Sequence, residues 1–302
     1  MRYLRKQAST ECNLVEGVIY NTNTETVSYI SSTNQNSPEY FTVYPLNDGT
    51  LTIKAYFKGT RPTTSTTYYP DTVTIDYLSN NSSWTSISFS DGGGLALLGG
   101  RYVTKTVSLV AGQPINLKSS TGLCVKADSA TSFDQTEAPC YYYPGSITSD
   151  CPCIILGPLA SLITGSASGG NWTLYDYTFK GLFKDWINLI DASNLELPTS
   201  IDGRMSPDYT SLFENCFNLT MGPKVTWPNS GSNYTNFFKN CYSLREVYTT
   251  ITQSSNSTIT DWLKGTDLGE RKMHVTESFA SYDAFNNELP SNWEIINDIE
   301  ES

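Results

Sequence analysis

The side chains that usually carry out acid–base and nucleophilic chemistry are scarce or scattered in this sequence. His274 is the only histidine among the 302 residues, which excludes a histidine-rich metal centre. A Ser–His–Asp arrangement around it stays open on composition, but the Gly-x-Ser-x-Gly elbow of many serine hydrolases is missing. Asp185, Asp191 and Glu196 would suffice for glycoside hydrolysis, yet such carboxylates more often form solvated turns. We therefore expect no catalytic residue and a non-enzymatic protein.

The cysteine and glycine clusters do not match the motifs of known metal-binding or phosphate-binding sites. Four of the seven cysteines fall close together, at gaps of 16, 11 and 2 residues; they are Cys124, Cys140, Cys151 and Cys153. Structural zinc sites usually contain a Cys-x-x-Cys loop, and Cys151-x-Cys153 is too tight for one. We expect buried or loop thiols, with no metal and no cofactor. The Gly92-Gly93-Gly94 run lacks the lysine and helix start of a phosphate-binding loop, so it predicts a flexible turn.

Basic residues at the N-terminus favour a binding role for the segment 1–38. Three of the chain's 19 lysines and arginines lie within its first six positions. The segment is either a frayed basic tail or an arm that becomes ordered when it binds an acidic or grooved partner. The anchoring residues would be Arg2, Tyr3, Leu4, Arg5 and Lys6. The segment TETVSYISS at 24–32 would add a strand to that partner or to a neighbouring copy.

Overall composition excludes several classes of partner. The net charge of −11 argues against nucleic-acid binding, which needs a basic stripe. No segment approaches the roughly 18 apolar residues of a membrane span, so we expect no membrane insertion. The basic start lacks the apolar run of a signal peptide, which predicts a reducing compartment and thiols in preference to disulfides. Only 16 % of residues are charged, and this low proportion favours β-rich, surface-exposed modules.

Alternating apolar residues in 39–120 predict an antiparallel β-sandwich. The expected strands lie at 39–46, 50–57, 72–78, 84–89, 101–110 and 115–119. Asn47-Asp48-Gly49 between the first two predicts a hairpin turn. The spacing is typical of an immunoglobulin-like layout, without the cysteine pair of a true immunoglobulin domain. The Cys- and Pro-rich segment 121–170 then predicts a connection, in which CIILGPLASLI at 153–163 caps the start of the C-terminal domain.

An eleven-residue unit occurs three times in that C-terminal domain, 171–302. The copies read FKGLFKDWINL at 179–189, YTSLFENCFNL at 209–219 and YTNFFKNCYSL at 234–244. Shared residues at positions 1, 4, 5 and 8 have the spacing of one helix face, and position 11 is always Leu. Each copy therefore predicts a short amphipathic helix in a stacked strand–turn–helix unit. Candidates for the terminal cap are Trp262, Phe279, Phe285 and the final ELPSNWEII.

These motifs carry a resemblance to known proteins. Phe-x-x-Cys-x-x-Leu in a 25-residue unit resembles the BspA-type leucine-rich repeats of bacterial surface proteins. Together with EYFTVYPLNDGTLTI at 39–53, VSLVAGQPINLKS at 107–119 and the terminal LPSNW, it resembles virion surface proteins of crass-like phages that infect gut Bacteroidales. Two features depart from the pattern: the Cys-rich insertion at 124–153, and Trp186 in place of Cys in the first copy.

The resemblance implies a head fibre or capsid decoration located in the virion and assembled in the host cytoplasm. Its N-terminal arm would bind phage capsid proteins, while the sandwich and the repeats project outward. Such fibres are usually homo-oligomers, here a dimer or trimer, and a host-surface glycan is a further expected partner. Two alternatives stay open: a BspA-like bacterial surface adhesin and a glycan depolymerase.

Overall fold

Fifteen β-strands and one four-residue helix, α1 (Ser161–Thr164), form the described part of the chain, so the predicted β-rich class is confirmed. The computed structural model describes residues 18–21, 26–29, 38–57, 72–79, 83–90, 101–119, 145–164, 179–198, 209–226, 233–250, 259–266, 269–276 and 289–299. In this part of the chain, none of the helices has the length and apolar character that crossing a bilayer requires.

The first described strands form a separate antiparallel ribbon within the predicted arm. Strand β1 (Val18–Asn21) pairs with β2 (Thr26–Tyr29). The segment predicted to add a strand to a partner is therefore paired within its own chain. The anchoring residues 2–6 lie outside the described residues.

Two sheets come next, and they contain all six strands predicted for 39–120. These strands are β3 (Phe41–Pro45), β4 (Gly49–Phe57), β5 (Thr72–Ser79), β6 (Thr85–Ser90), β7 (Arg101–Leu109) and β8 (Ile115–Lys118). Three later strands complete the sheets: β9 (Ser146–Ser149), β10 (Cys153–Pro158) and β11 (Leu189–Glu196). The larger sheet has the order β11-β10-β3-β8-β5-β6, and the smaller has the order β7-β4-β9. Alternate side chains such as Leu51 and Ile53 of β4 and Phe41 and Val43 of β3 are fully buried in one hydrophobic core.

The Asn47-Asp48-Gly49 turn does not make the predicted hairpin. Strand β3 pairs with β8 and β10, whereas β4 pairs with β7 and β9, so the turn carries the chain from one sheet to the other. Asp48 Oδ1 accepts a hydrogen bond of 2.8 Å from the Ala111 amide. Gly49 has a spatial role, because an added Cβ would lie 2.7 Å from the Cβ of Cys151. Glycine is required there by close approach of the backbone.

The segment predicted as a connection, 121–170, contributes a strand to each sheet. Strand β9 (Ser146–Ser149) pairs with β4, and β10 (Cys153–Pro158) pairs antiparallel with β3. On its other side β10 pairs parallel with β11 (Leu189–Glu196), the strand that follows the first repeat. Strand β10, within the apolar segment 153–163, therefore joins the first repeat to the preceding sheets.

The repeats continue this sheet with parallel strands. They are β12 (Val225–Thr226), β13 (Glu246–Thr250), β14 (Arg271–Val275) and β15 (Trp293–Asn297), in that order. Single bridges from Asp191 to Met221 and from Met221 to Glu246 connect β11 to β13. One ladder of backbone pairing thus runs from β6 to β15. Strand β13 is followed by two more, and β15 lies in the predicted terminal cap.

The predicted amphipathic helices are wrong: each eleven-residue unit is a chain of tight turns. In the first copy the amides of Leu182, Lys184 and Trp186 bond to carbonyls three residues earlier. The amides that alternate with these donate to carbonyls of the next copy. The Gly181 amide bonds to the Thr210 carbonyl at 2.9 Å, and the Phe183 amide bonds to the Leu212 carbonyl at 3.1 Å. In an α-helix, every amide after the first turn would bond to the carbonyl four residues earlier. Stacking instead leaves alternate amides for the neighbouring copy.

Two left-handed residues per copy make this path possible. They occupy positions 3 and 7, with φ between 57° and 81°; the pairs are Gly181 and Asp185, Ser211 and Asn215, Asn236 and Asn240, and Asp261 and Gly265. Glycine, asparagine and aspartate are the residue types that most readily adopt this conformation. The last pair belongs to a fourth copy, ITDWLKGT at 259–266, which repeats the 25-residue spacing. Trp262, predicted as part of the cap, lies at its position 4.

Candidate functional site

The interior of the repeat stack is an aromatic column that begins in the preceding sheets. Position 5 provides Phe183, Phe213 and Phe238, whose ring centroids lie 5.5 Å apart in successive copies. Phe41 of β3 stacks on Phe183 at 5.6 Å, and Trp262 follows Phe238 at 6.2 Å. All five rings are buried. The column therefore continues the core of the first two sheets through every described copy.

A second column runs through position 7 and is made of hydrogen-bonded side chains. Asn240 Nδ2 donates to Asn215 Oδ1 at 2.8 Å, and Asn215 Nδ2 donates to Asp185 Oδ1 at 2.6 Å. The direction is constant, and the column starts at a carboxylate because only an acceptor is needed there. It ends at Gly265, where an added Cβ would lie 2.6 Å from Asn240 Oδ1. The sequence signal was available, since position 7 reads Asp, Asn, Asn and Gly.

Position 8 explains why the first copy has Trp186 where the next two have cysteine. The thiols of Cys216 and Cys241 donate to the carbonyls of Phe183 and Phe213 in the preceding copy, at 3.1 and 3.0 Å. Burial raises the pKa of both thiols, which keeps them protonated as donors. Trp186 has no preceding copy, and its indole Nε1 donates to Ser149 Oγ of β9 at 3.1 Å.

The far end of the described stack closes in the same way. Trp293 Nε1 of β15 donates to the hydroxyl of Thr266 at 3.0 Å, and Thr266 stands at position 8 of the fourth copy. Its hydroxyl donates in turn to the Leu263 carbonyl at 2.6 Å. Both tryptophans are buried, at 0 % and 7 % exposure. An indole–hydroxyl bond thus fixes each end of the stack.

Charged side chains at positions 3 and 6 form a row along the outer face of the stack. Glu214 accepts from Lys184 at 2.8 Å and lies 3.9 Å from Lys239. Asp261 lies 3.9 Å from Lys239 and 3.0 Å from Lys264. Partial burial raises the pKa of Glu214, but the hydrogen bond and charge of Lys184 outweigh it and leave the pKa below its ordinary value. This row contributes to the attraction between copies at neutral pH.

Position 9 exposes large apolar side chains. Ile187 is 49 % exposed and Tyr242 is 45 % exposed. Phe217 lies between them in the order of the copies, and its ring stacks on Tyr242 with centroids 5.2 Å apart and planes 20° apart. Phe217 thus holds the exposed ring of Tyr242 in one orientation at the surface. We call Phe217 and Tyr242 the aromatic platform.

A charged cavity of about 420 Å³ lies beside the platform, at the amino ends of β13, β14 and β15. Three cations and three carboxylates line it, together with Asn292; they are Arg245, Arg271, Lys272, Glu246, Glu270 and Glu294. Arg271 is only 3 % exposed, and its Nη2 donates to the Tyr242 carbonyl at 2.7 Å. The same guanidinium therefore lines the cavity and holds the platform. Sequence patterns did not predict this cavity, because its residues come from three separate strands.

His274 is paired with a carboxylate on the outer face of the parallel sheet. Its Nδ1 lies 2.8 Å from Asp298 Oδ2, and its ring stacks on Tyr248 at 4.3 Å. Tyr248 donates to Glu246 Oε2 at 3.2 Å, and burial followed by the charge of Glu246 raises the pKa of its hydroxyl. No hydrogen bond joins a serine to His274 among the described residues. The described contacts of His274 are thus a carboxylate and a stacked tyrosine ring.

The three carboxylates considered for glycoside hydrolysis have different surroundings. Asp185 accepts from Asn215 in the position 7 column. Asp191 is buried, and its Oδ1 accepts from the amide and the hydroxyl of Ser193. Glu196 is exposed at the end of β11. Asp185 and Asp191 thus have structural contacts in the stack.

Only two of the four clustered cysteines lie in the described residues. The Sγ atoms of Cys151 and Cys153 are 3.8 Å apart and buried, and both are free thiols. The hydrogen bond between them lowers the pKa of Cys151 and raises that of Cys153. Cys124, Cys140 and the Gly92–Gly94 run lie outside the described residues. Within the described ranges, no three metal-binding side chains form a group.

Comparison with known proteins identifies no relative of this chain. No family model matches it, and neither a curated protein nor a solved structure matches it significantly.

Proposed function

We propose that this protein is a non-enzymatic virion structural protein, a head fibre or capsid decoration of a crass-like phage. Its basic arm binds the capsid, and the rest of the chain projects from the shell as a homo-oligomer. We infer further that the two sheets form an immunoglobulin-like sandwich and that the four copies form a BspA-type leucine-rich-repeat solenoid. The stacked copies and the core shared by the two sheets support these assignments.

The observation that carries this proposal is the continuity between the two parts of the chain. One ladder of strand pairing and one aromatic column run from β3 into the repeats, so backbone bonds and ring packing join the two parts directly. Tryptophan–hydroxyl bonds close both ends of the stack. A body built in this way holds its outer surface at a fixed distance from an anchor, which is the mechanical requirement for a fibre.

Removal of the arm tests the anchoring role. Phage assembled with a chain that lacks residues 1–38 should contain none of it, while the truncated protein stays folded in solution. A finer test replaces Arg2, Arg5 and Lys6 by alanine, because charge-assisted contacts to an acidic shell need those cations. Incorporation of the triple variant should fall at least tenfold, as measured by quantitative mass spectrometry of purified particles.

A matched variant controls for the loss of three positive charges. Lys54, Lys105 and Lys224 are exposed on the body of the protein, and their replacement by alanine changes the net charge equally. This control should be incorporated like the unmodified chain. Normal incorporation of the truncated protein would refute the anchoring role.

Adhesion to the host surface is a second role for the same protein, and the aromatic platform favours it. Tyr242 keeps 45 % of its surface exposed although it stacks on Phe217. An exposed aromatic ring held in place by a second ring is suited to contact with a receptor. The test is retention of the purified protein on host cells, which Tyr242→Ala should reduce and Ile187→Ala should leave unchanged.

A further inference from the structure

We propose that the aromatic platform and the adjoining charged cavity form a binding site for a pyranose of a host-surface glycan. This inference rests on the proposed adhesive role and assigns it to particular residues. The site comprises Phe217, Tyr242 and the cavity-lining residues at the amino ends of β13, β14 and β15.

The platform supplies the apolar half of such a site. One face of a pyranose carries mainly C–H groups, and these pack on an aromatic ring because the ring face is apolar and partly negative. Phe217 stacks on one face of Tyr242, with the two planes within 20° of parallel, and so supports a ring that remains 45 % exposed. The same position is isoleucine in the first copy, Ile187, and aspartate in the fourth. Aromatic residues at position 9 are thus confined to the second and third copies.

The cavity supplies the polar half. Its cations and carboxylates are equal in number, so it has no net charge to attract an ion of either sign. Carboxylates accept from neighbouring hydroxyls, and guanidinium and ammonium groups donate to ring and hydroxyl oxygens, which suits a polyol. Its volume of about 420 Å³ lies within the usual range of small-molecule sites.

Arg271 joins the two halves into one site. It is buried within the cavity wall, and its bond to the Tyr242 carbonyl fixes the backbone that carries the platform ring. A sugar that stacks on Tyr242 therefore has hydrogen-bonding groups at a fixed position beside it. A nucleic acid does not fit, because its phosphates would face a chain of net charge −11.

Saturation-transfer NMR on the full chain tests the proposal directly. The probes are glucose, galactose, mannose, N-acetylglucosamine, N-acetylgalactosamine and glucuronic acid, each at millimolar concentration. At least one should receive saturation, strongest at its ring C–H protons. Tyr242→Ala and Lys272→Ala should each weaken that binding about tenfold, whereas Ile187→Ala should leave it unchanged. All three side chains are at least partly exposed, and circular dichroism verifies that the variants fold.

A second measurement distinguishes a glycan from a protein receptor. Host cells are treated either with periodate, which cleaves vicinal diols, or with protease, and retention of the protein is measured. Loss after periodate and survival after protease supports the proposal. The reverse pattern, no binding to any of the six sugars, or equal binding by Tyr242→Ala would overturn it. Because capsid incorporation is measured separately, such a result would leave the structural role intact.

Discussion

Replacement of Asn215 by glycine and by alanine distinguishes the observed turn from a helix. Asn215 has φ of 66° and bonds to Asp185 and Asn240 through its side chain. Both substitutions remove those two bonds, so the lost bonds cancel when the variants are compared with each other. The remaining difference is the backbone preference of alanine against glycine at this position.

The two conformations predict opposite signs for that difference. In a helix, alanine is more stable than glycine by about 1 kcal/mol. In the left-handed region, alanine costs roughly 1–2 kcal/mol that glycine avoids, and the entropy of unfolded glycine offsets part of it. We expect Asn215→Gly to be more stable than Asn215→Ala by about 1 kcal/mol. Relative to the unmodified chain, the glycine variant should lose about 1–2 kcal/mol with its two side-chain bonds.

Urea unfolding followed by circular dichroism measures the free energy of unfolding of each variant, with slopes compared to confirm similar unfolding. Thr210 provides the control, because it lies in the same copy with φ outside the left-handed region. There, alanine should be at least as stable as glycine. If Asn215→Ala equals or exceeds Asn215→Gly in stability, the turn description is incorrect.

Three further predictions test the stack and the end that Trp186 closes. Phe213→Ala should lower the free energy of unfolding by about 3–5 kcal/mol, and Phe213→Leu by clearly less, in the same urea assay. Trp186→Phe should cost about 1–2 kcal/mol, because it removes the donor to Ser149. Ser149→Ala should cost less in that background than in the unmodified chain, although it still removes the bond from Ser149 to the Cys151 carbonyl. The folded state lowers the pKa of Glu214, so this carboxylate stabilises the fold at neutral pH. That stabilisation decreases as the pH falls below about 4.5 and is lost once the pH passes the folded pKa. The thermal unfolding midpoints of Glu214→Gln and of the unmodified chain should therefore become equal as the pH is lowered. A difference that stays constant with pH would contradict the stabilising ion pair between Glu214 and Lys184.

Much of the interior was predictable from the sequence. Positions 1, 4, 5, 8 and 11 of the repeat are buried in all three predicted copies, as Leu212, Phe213 and Cys216 illustrate. The apolar spacing identifies these inward positions whether the chain is helical or turned. The six strands of 39–120 were predictable for a similar reason, because alternation in a strand directly reports burial.

The backbone path of the repeats was not predictable from apolar spacing alone. A helix and a chain of tight turns both bring positions 1, 4, 5 and 8 to one side, and the distinction lies in positions 3 and 7. The fourth copy was missed because it has Trp262 at position 4, where the other copies have leucine or phenylalanine, and Thr266 at position 8, where they have tryptophan or cysteine. Strand partners were also hidden, since the turn at Asn47–Gly49 favours a hairpin locally while β10 offers β3 a partner more than 100 residues later.

Protein composition and imaging of purified phage particles test the proposed function most directly. We predict that the chain is present in the particles, at a copy number that fits the capsid symmetry. Labels at residue 1 and on β15 should lie next to the shell and distant from it, respectively. Absence of the chain from purified particles, or a location inside the capsid, would contradict the proposal.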